Sequence, residues 1–324
     1  MTEQWKRAVV HLECATDSEH IYDNIKRTAE LREKFKKGEV AYEEYVEQLI
    51  PKTRDIRFHG TAIFIIHKSK RYLLTARHVL FDERSAEREH QEEVKRYESA
   101  PQHMREHFIE SSYKRSLNKI FNIIFRVPSL DEVMAGKGFE GRHFLMNLGA
   151  GASMTLPYTF SSPDLDLALI SLDQRDKDFA DELIARGYTP VPSELIINGP
   201  SSEGAEVFSV GFPGATSLIA QVNQHPESTH WSSSYVSLPV FSWGKVSMLH
   251  PKLPFYWCDM SIYPGNSGGP LVEDGKLVGI VSAQATLPLE GAPQVRTRIP
   301  FGRIIKTEFV KKLFEEQEAK DQLT

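Results

Sequence analysis

The stretch Tyr263-Pro264-Gly265-Asn266-Ser267-Gly268-Gly269-Pro270-Leu271-Val272 sets a serine between glycines and ahead of an apolar run. Glycine has no Cβ, so the chain turns tightly there and a carbonyl group can come close to the backbone. A serine held this way is presented as a nucleophile beside bare N–H groups. The N–H groups of Gly265 and Ser267, with Asn266 between them, are the natural donors to an oxyanion formed when Ser267 attacks a carbonyl. Gly, Asn, Ser and Pro also dominate ordinary turns. The decision therefore falls to whether a base and an orienting carboxylate exist upstream.

Both exist. Residues Tyr72-Leu73-Leu74-Thr75-Ala76-Arg77-His78-Val79-Leu80 form a short apolar run that ends in a small residue and then a histidine. A strand that delivers His78 from its end gives a general base the rigid placement it needs. Residues Asp164-Leu165-Asp166-Leu167-Ala168-Leu169-Ile170-Ser171-Leu172 put Asp166 just ahead of a run that reads as a buried strand. A carboxylate there can sit behind an imidazole and fix its tautomer, and Asp164, two residues earlier, is its rival on the same strand face. The order along the chain is His78, Asp166, Ser267.

The blocks Thr75–Val79, Asp166–Ile170 and Gly265–Leu271 resemble the three catalytic blocks of chymotrypsin-like serine proteases, and more closely those of the HtrA/Deg branch, where Asn precedes the serine and Pro precedes the first glycine. Gly60–Ile65, Gly204–Gly214, Trp243–Ser247 and Leu277–Ala283 fit the same pattern in the same order, so about half of the chain carries the resemblance. It implies a mostly β fold of two antiparallel six-stranded β-barrels: the first over 1–172, the second over 173–303, and a C-terminal helix over 304–324. It also implies a peptide-hydrolysing triad of His78, Asp166 and Ser267, with Asp166 preferred to Asp164 by its Asp-Leu-Ala context, and Gly265, Asn266 and Ser267 as the oxyanion loop. Substrates are then proteins or peptides, with no cofactor.

Asn266 stands where zymogen-activated relatives carry an aspartate that pairs with a newly cut N-terminus, so activation by N-terminal cleavage is not expected. Control should act instead by ordering the loops around Gly265. By the family's geometry, Ser261, Ile262 and Tyr263 together with Val281, Ser282 and Ala283 wall the specificity pocket. Ser261 holds the position of the trypsin-like aspartate, so cleavage after small or medium apolar residues is expected rather than after Arg or Lys. The alternative use of the same groove is a dormant module that binds peptides or partners.

Composition agrees with a globular protein. The chain has 324 residues, 40% apolar and 26% charged, with a net charge of −5, which argues against nucleic acid as a partner. Cys14 and Cys258 read as two buried thiols rather than a disulfide framework. No apolar run approaches the ~18 residues of a membrane helix, and the N-terminus lacks a signal-peptide run, so a cytoplasmic protein is expected. Only about 40 residues follow Val281-Ser282-Ala283, too few for the PDZ domain common among HtrA relatives. They include a charged amphipathic segment, Ile304–Gln322, expected to pack on the second barrel.

Two insertions interrupt the first half. Residues 16–54, between strands at Arg7–Ala15 and Arg57–His67, are rich in Glu, Lys, Arg and Tyr, with Gly38 as a break, and predict a helical hairpin. Residues 81–143 begin with a helical stretch of mixed charge and turn apolar at Ile120–Val127. This second insertion lies beside His78. It is either a lid or docking surface for a regulatory partner, or a solvated decoration on the first barrel. Within it, His103-Met104-Arg105-Glu106-His107 matches a zinc-protease pattern. The stretch is charged and supplies no third ligand beyond an unsupported His90, so no metal is expected.

Overall fold

Short runs rich in Val, Ile, Leu and Phe, punctuated by Gly, Pro, Asp and Ser, favour strands through most of the chain. The computed structural model describes residues 2–17, 21–49, 55–81, 83–107, 122–127, 130, 144–147, 156–175, 177–214, 221–223 and 235–322. In it the strands are β1 (Val9–Asp17), β2 (Asp55–His67), β3 (Lys70–Ala76), β4 (Asn122–Val127), β5 (Phe144–Asn147), β6 (Tyr158–Phe160), β7 (Leu167–Ser171), β8 (Val191–Pro192), β9 (Glu206–Gly211), β10 (Gln221–Asn223), β11 (Tyr235–Ser237), β12 (Val240–Met248), β13 (Phe255–Asp259), β14 (Pro270–Glu273), β15 (Lys276–Leu289) and β16 (Ala292–Lys306).

The chain divides into two compact units. The smaller, Ala15–Arg57, holds the helical pair expected between the first strands, Ile21–Lys36 and Tyr42–Leu49. Gly38, at φ +72°, ends the first helix, as the left-handed residue after a helix usually does. Phe35 stacks on Tyr45 at 4.6 Å between ring centroids, and Arg27 donates to the Gln48 carbonyl at 2.6 Å.

The larger unit carries the strands that position the site. β9, β14, β15, β16, β13 and β12 close into an antiparallel barrel in that order. The other sheet runs β5-β4-β1-β2-β3-β7-β6, with β8 added in parallel to β2. Two tight turns set its registers and those of the barrel. Lys68-Ser69 joins β2 to β3 and Asp274-Gly275 joins β14 to β15, each with both residues at positive φ, the geometry whose twist matches two-residue hairpins.

Four features differ from the sequence expectation, the fourth being the start of the C-terminal helix. Among the described residues the first sheet is open, with β5 and β6 at its edges, rather than a closed six-stranded barrel. Within the apolar run expected at Ile120–Val127, Asn122–Val127 form strand β4, paired with β5, because Ile, Phe and Val close together suit a sheet better than a helical insertion. The helical part ahead of it comprises Glu83–Arg96 and 102–107, where His103 and His107 are exposed. Residues 173–192 do not begin the second barrel. They form helices Leu172–Arg175 and Lys177–Ala185, whose Phe179, Ala180 and Leu183 pack with Val10, Leu12, Phe64, Leu73 and Ile170 of the first sheet.

The C-terminal helix, Glu308–Asp321, starts later than expected because Ile304–Lys306 belong to β16. Val310, Leu313, Phe314 and Gln317 recur at helical spacing and are buried. They lie against the first sheet as well as the barrel. Phe314 packs on His67 and Tyr72, and buried Gln317 accepts from Thr159 Oγ1 at 2.7 Å and donates to the Leu156 carbonyl at 2.8 Å. One core runs through both sheets, from Trp5, Ile63, Leu74 and Leu169 to Val210, Val272, Ile280 and Ile305. Each such side chain contributes about 1.5–3 kcal/mol on burial, so the sheets are held together by apolar area rather than by surface charge. Cys14 and Cys258 are free and buried in separate clusters, and burial pushes the Cys258 thiol up to about 12.

On β1, buried His11 stacks on His59 at 5.2 Å, with its Nε2 3.2 Å from His59 Nδ1. Burial, and then the His59 charge, push its pKa down from 6.5 to about 3. The unfolded chain therefore binds one more proton than the folded one between those values. The stability of neutral His11 is present above the unfolded value and is lost as pH falls toward 3, by at most about 1.4 kcal/mol per pH unit. Thermal melts of wild type and His11→Gln should differ most near pH 7 and converge on acidification. A gap that stays constant from pH 7 to pH 5 would show that His11 is not the group responsible.

Candidate active site

The register of β3 with β7 brings His78 and Asp166 together. Ala76, the last residue of β3, lies opposite Leu167, the first of β7, so Arg77-His78 and Asp166 continue from facing strand ends. The Arg77 N–H extends the ladder to the Asp166 carbonyl at 3.1 Å. Beyond Ala76 the chain enters one helical turn, Arg77–Leu80, which carries His78.

Asp166 adopts φ +51°, the left-handed region that aspartate tolerates better than most residues. Its Oδ1 accepts from the His78 backbone N–H at 3.0 Å, and its Oδ2 lies 2.8 Å from His78 Nδ1. The carboxylate side chain is 11% exposed and the imidazole 45%, so the ring is anchored from the inside and open outside. A carboxylate at Nδ1 selects the tautomer with its proton there, leaving Nε2 as the basic nitrogen.

Behind this pair, Ser282 Oγ donates to Asp166 Oδ2 at 2.5 Å, Arg303 Nη1 donates to Ser282 Oγ at 3.2 Å, and Arg303 Nη2 donates to the Asp164 carbonyl at 3.0 Å. Asp164 itself is exposed, so Asp166 is the carboxylate that meets the ring. Charge-assisted bonds of this kind contribute about 1.5–3 kcal/mol each.

The serine loop is shaped by its glycines and tied down by Thr61. Gly265 and Gly268 have φ +102° and +84°; a Cβ on the first would run into the Phe212 carbonyl, and one on the second into Thr61 and Thr75. Thr61 is fully buried on β2. Its N–H donates to the Ser267 carbonyl at 2.8 Å, and its Oγ1 donates to the Gly265 carbonyl at 2.7 Å and accepts from Phe212 N–H at 3.2 Å.

The Pro264 and Asn266 carbonyls accept from the Gly214 and Gly269 N–H groups, and the Gly265 and Ser267 N–H groups on the other side of those peptide planes have no hydrogen-bond partner among the described residues. Asn266 is 1% exposed; its N–H donates to the Tyr263 carbonyl, while its side-chain amide has no partner among the described residues. The Ser267 hydroxyl donates to the Ser282 carbonyl at 3.1 Å.

A cleft of about 530 Å³ opens here, with His78, Asp166 and Ser267 all in its lining. Four of the six residues expected to wall a pocket also line it: Ile262, Tyr263, Ser282 and Ala283. Ser261 is exposed and outside the lining. Val281 is buried in the barrel core, its N–H and carbonyl paired with Gly269 and Gly268.

The lining further includes Pro163, Pro264, Gln284, Thr286, Arg298 and Arg303, which sequence reasoning missed. The alternation Arg296-Thr297-Arg298 marks a strand face with charge. Assigning Arg298 to the cleft needs the register of β15 on β16, which shifts three times.

No curated protein matches the chain. Among solved structures, a thermostable serine protease from an extremophilic microorganism is 10% identical, covering 94% of this chain and 93% of that one, with a TM-score of 0.44. The tobacco vein mottling virus protease is 12% identical, covering 94% of this chain and 79% of that one at 0.41, and a Glu endopeptidase is 12% identical over 81% and 86% at 0.43. Residues 60–280 match the family described as a trypsin-like peptidase domain. That match spans about two thirds of the sequence, and the chain belongs to the trypsin-like peptidase domain family.

Proposed function

We propose that the protein is a serine endopeptidase of the HtrA/Deg type that hydrolyses peptide bonds through an acyl-enzyme on Ser267. The observation that carries the proposal is a pair of unpartnered N–H groups, Gly265 and Ser267, flanking a serine that shares a cleft with a His78–Asp166 pair. Donors left open in a loop whose carbonyls from Tyr263 to Ser267 are engaged fit an oxyanion better than a structural turn, in which they would be paired.

The chemistry follows from the geometry. β14 has ended by the time β15 reaches Ser282, so that edge of β15 can accept a peptide as an added strand. A substrate N–H that takes the Ser282 carbonyl displaces the Ser267 hydroxyl, which turns toward His78 Nε2. His78 removes the hydroxyl proton as Oγ attacks the scissile carbonyl, and Asp166 stabilises the imidazolium. The Gly265 and Ser267 N–H groups hold the tetrahedral oxyanion. His78 then gives its proton to the leaving amine, and water hydrolyses the ester with the same base.

Cleavage after small or medium apolar residues is part of the proposal. Ile262 walls the cleft, and the Gln284 side chain is fixed to the Ile299 carbonyl at 3.2 Å. Among the described residues Asp166 is the one carboxylate in the lining, and it is already taken by His78 and Ser282 rather than left to attract a basic residue.

A fluorophosphonate probe should label wild type at Ser267 and leave Ser267→Ala unlabelled, with turnover of a denatured protein falling at least about 1,000-fold in the variant. Equal cleavage by the two would refute the nucleophile, and a silent wild type would favour the dormant alternative. Thr61→Val should lower kcat by about 10- to 100-fold with a smaller change in KM, because the oxyanion loop loses its tether. Unchanged kcat would remove Thr61 from the mechanism. A peptide-library profile should be richest in Ala, Val or similar residues before the cut, and one dominated by Arg or Lys would reject the pocket assignment.

A further inference from the structure

Between Ser282 and Leu289, β15 pairs on one side only, with β16, and its other edge is open among the described residues. Ser282, Gln284 and Thr286 of this edge line the cleft that holds Ser267. A peptide added antiparallel to it runs back toward Ser267, so residues alongside Gln284 and Thr286 lie upstream of the bond attacked. At about 3.4 Å per residue, Thr286 sits roughly four residues along the strand from Ser282.

Arg298 is the partner of Thr286 across β16 and also lines the cleft. The other charged groups there are occupied. Asp166 is held by His78 and Ser282. Arg303 is held by Ser282 and the Asp164 carbonyl, with its guanidinium over the Phe255 ring at 4.5 Å. Arg298 is exposed and has no hydrogen-bond or ion-pair partner among the described residues. Thr286 beside it, and Gln284 and Pro163 elsewhere in the lining, carry no charge to compete for it. A guanidinium carried on a strand, open to a cleft and without a partner among the described residues is matched by a carboxylate, which it can take in bidentate fashion.

We infer that the cleft selects substrates with an Asp or Glu about three to five residues upstream of the cleaved bond, recognised by Arg298. The inference rests on the assignment of Ser267 as the nucleophile. It adds a second determinant beyond the apolar residue at the cut.

The test uses quenched fluorescent peptides with one small apolar residue before the cut and Glu, Gln or Lys at the third, fourth or fifth residue upstream. Wild type should prefer Glu to Lys by at least about tenfold in kcat/KM at one of these positions, and Arg298→Glu should invert that ratio. Taking the ratio within each protein cancels any change in overall activity. Equal use of Glu and Lys, or a Glu preference that survives in Arg298→Glu, overturns the inference. Binding of the same peptides to Ser267→Ala, read by fluorescence anisotropy, separates the two layers. Glu-selective binding without turnover by wild type upholds acid recognition and overturns the peptidase proposal. Turnover without Glu selectivity does the reverse, and absence of both binding and turnover overturns the inference.

Discussion

Thr61 holds the first sheet to the turn that presents Ser267, and it does so with every polar atom it has. Its N–H and Oγ1 engage the Ser267 and Gly265 carbonyls, its Oγ1 also accepts from Phe212, and its own carbonyl accepts from Thr75 Oγ1 at 2.7 Å. The turn needs such a tether. Glycine loses more backbone freedom on ordering than any other residue, and each ordered residue costs about 1–2 kcal/mol. Hydrogen bonds with net values near 1 kcal/mol offset that cost only when several act together on buried groups. The Gly265 and Ser267 N–H groups share peptide planes with the Pro264 and Asn266 carbonyls, which accept from the Gly214 and Gly269 N–H groups, so each plane turns its own N–H the other way. Those two N–H groups have no partner among the described residues, and Thr61 fixes the carbonyls on either side of Asn266.

Asp166 shows the complementary case, a charge kept inside by its partners. A nearly buried carboxylate is costly unless hydrogen-bonded, and its left-handed backbone adds about 1 kcal/mol or more. It is met by the His78 backbone N–H, the His78 ring and the Ser282 hydroxyl, with Arg303 holding that hydroxyl from behind. The backbone contact matters as much as the ring contact. By gripping the His78 N–H, Asp166 sets the helical turn from which the imidazole projects, so tautomer and ring position share one cause. Ser282 comes from β15 and Asp166 from the end of β7, so the network also crosses from barrel to open sheet.

Most of this site was legible in the sequence because its signals are local. A glycine-flanked serine, a histidine at the end of an apolar strand and an aspartate ahead of another each declare themselves within ten residues. What the sequence hid depends on pairings between distant segments. The run near Ile124 has strand composition, but only a partner at Phe144–Asn147 makes it a sheet member. The C-terminal helix has a readable apolar stripe, yet Gln317 meets Thr159 because the fold brings β6 beneath it. Arg298 is one of many exposed arginines until the bulged register of β15 on β16 assigns it to Thr286. Ser282, expected as a pocket wall, lines the cleft and also buttresses the carboxylate, a role that a linear pattern does not carry.

Magnitudes indicate how idle the site is at rest. The Ser267 hydroxyl is parked on the Ser282 carbonyl at 3.1 Å, and a neutral bond of that kind is worth about 0.5–1.5 kcal/mol net. Losing one oxyanion donor costs about 2.7–4 kcal/mol in the transition state. The parked hydroxyl is therefore a weak brake, easily released when a substrate strand claims the same carbonyl. A lock on the proposed chemistry would have to act on the loop itself, where turning one peptide plane removes a donor outright. Asn266 sits at the centre of that loop, buried and uncharged, so it cannot draw an N-terminal ammonium into an ion pair as a carboxylate would. The bonds that Gly214 and Gly269 make to the Pro264 and Asn266 carbonyls hold the two donor planes, and Thr61 fixes the Gly265 carbonyl between them, so the proposed chemistry depends on the first sheet as well as on the barrel.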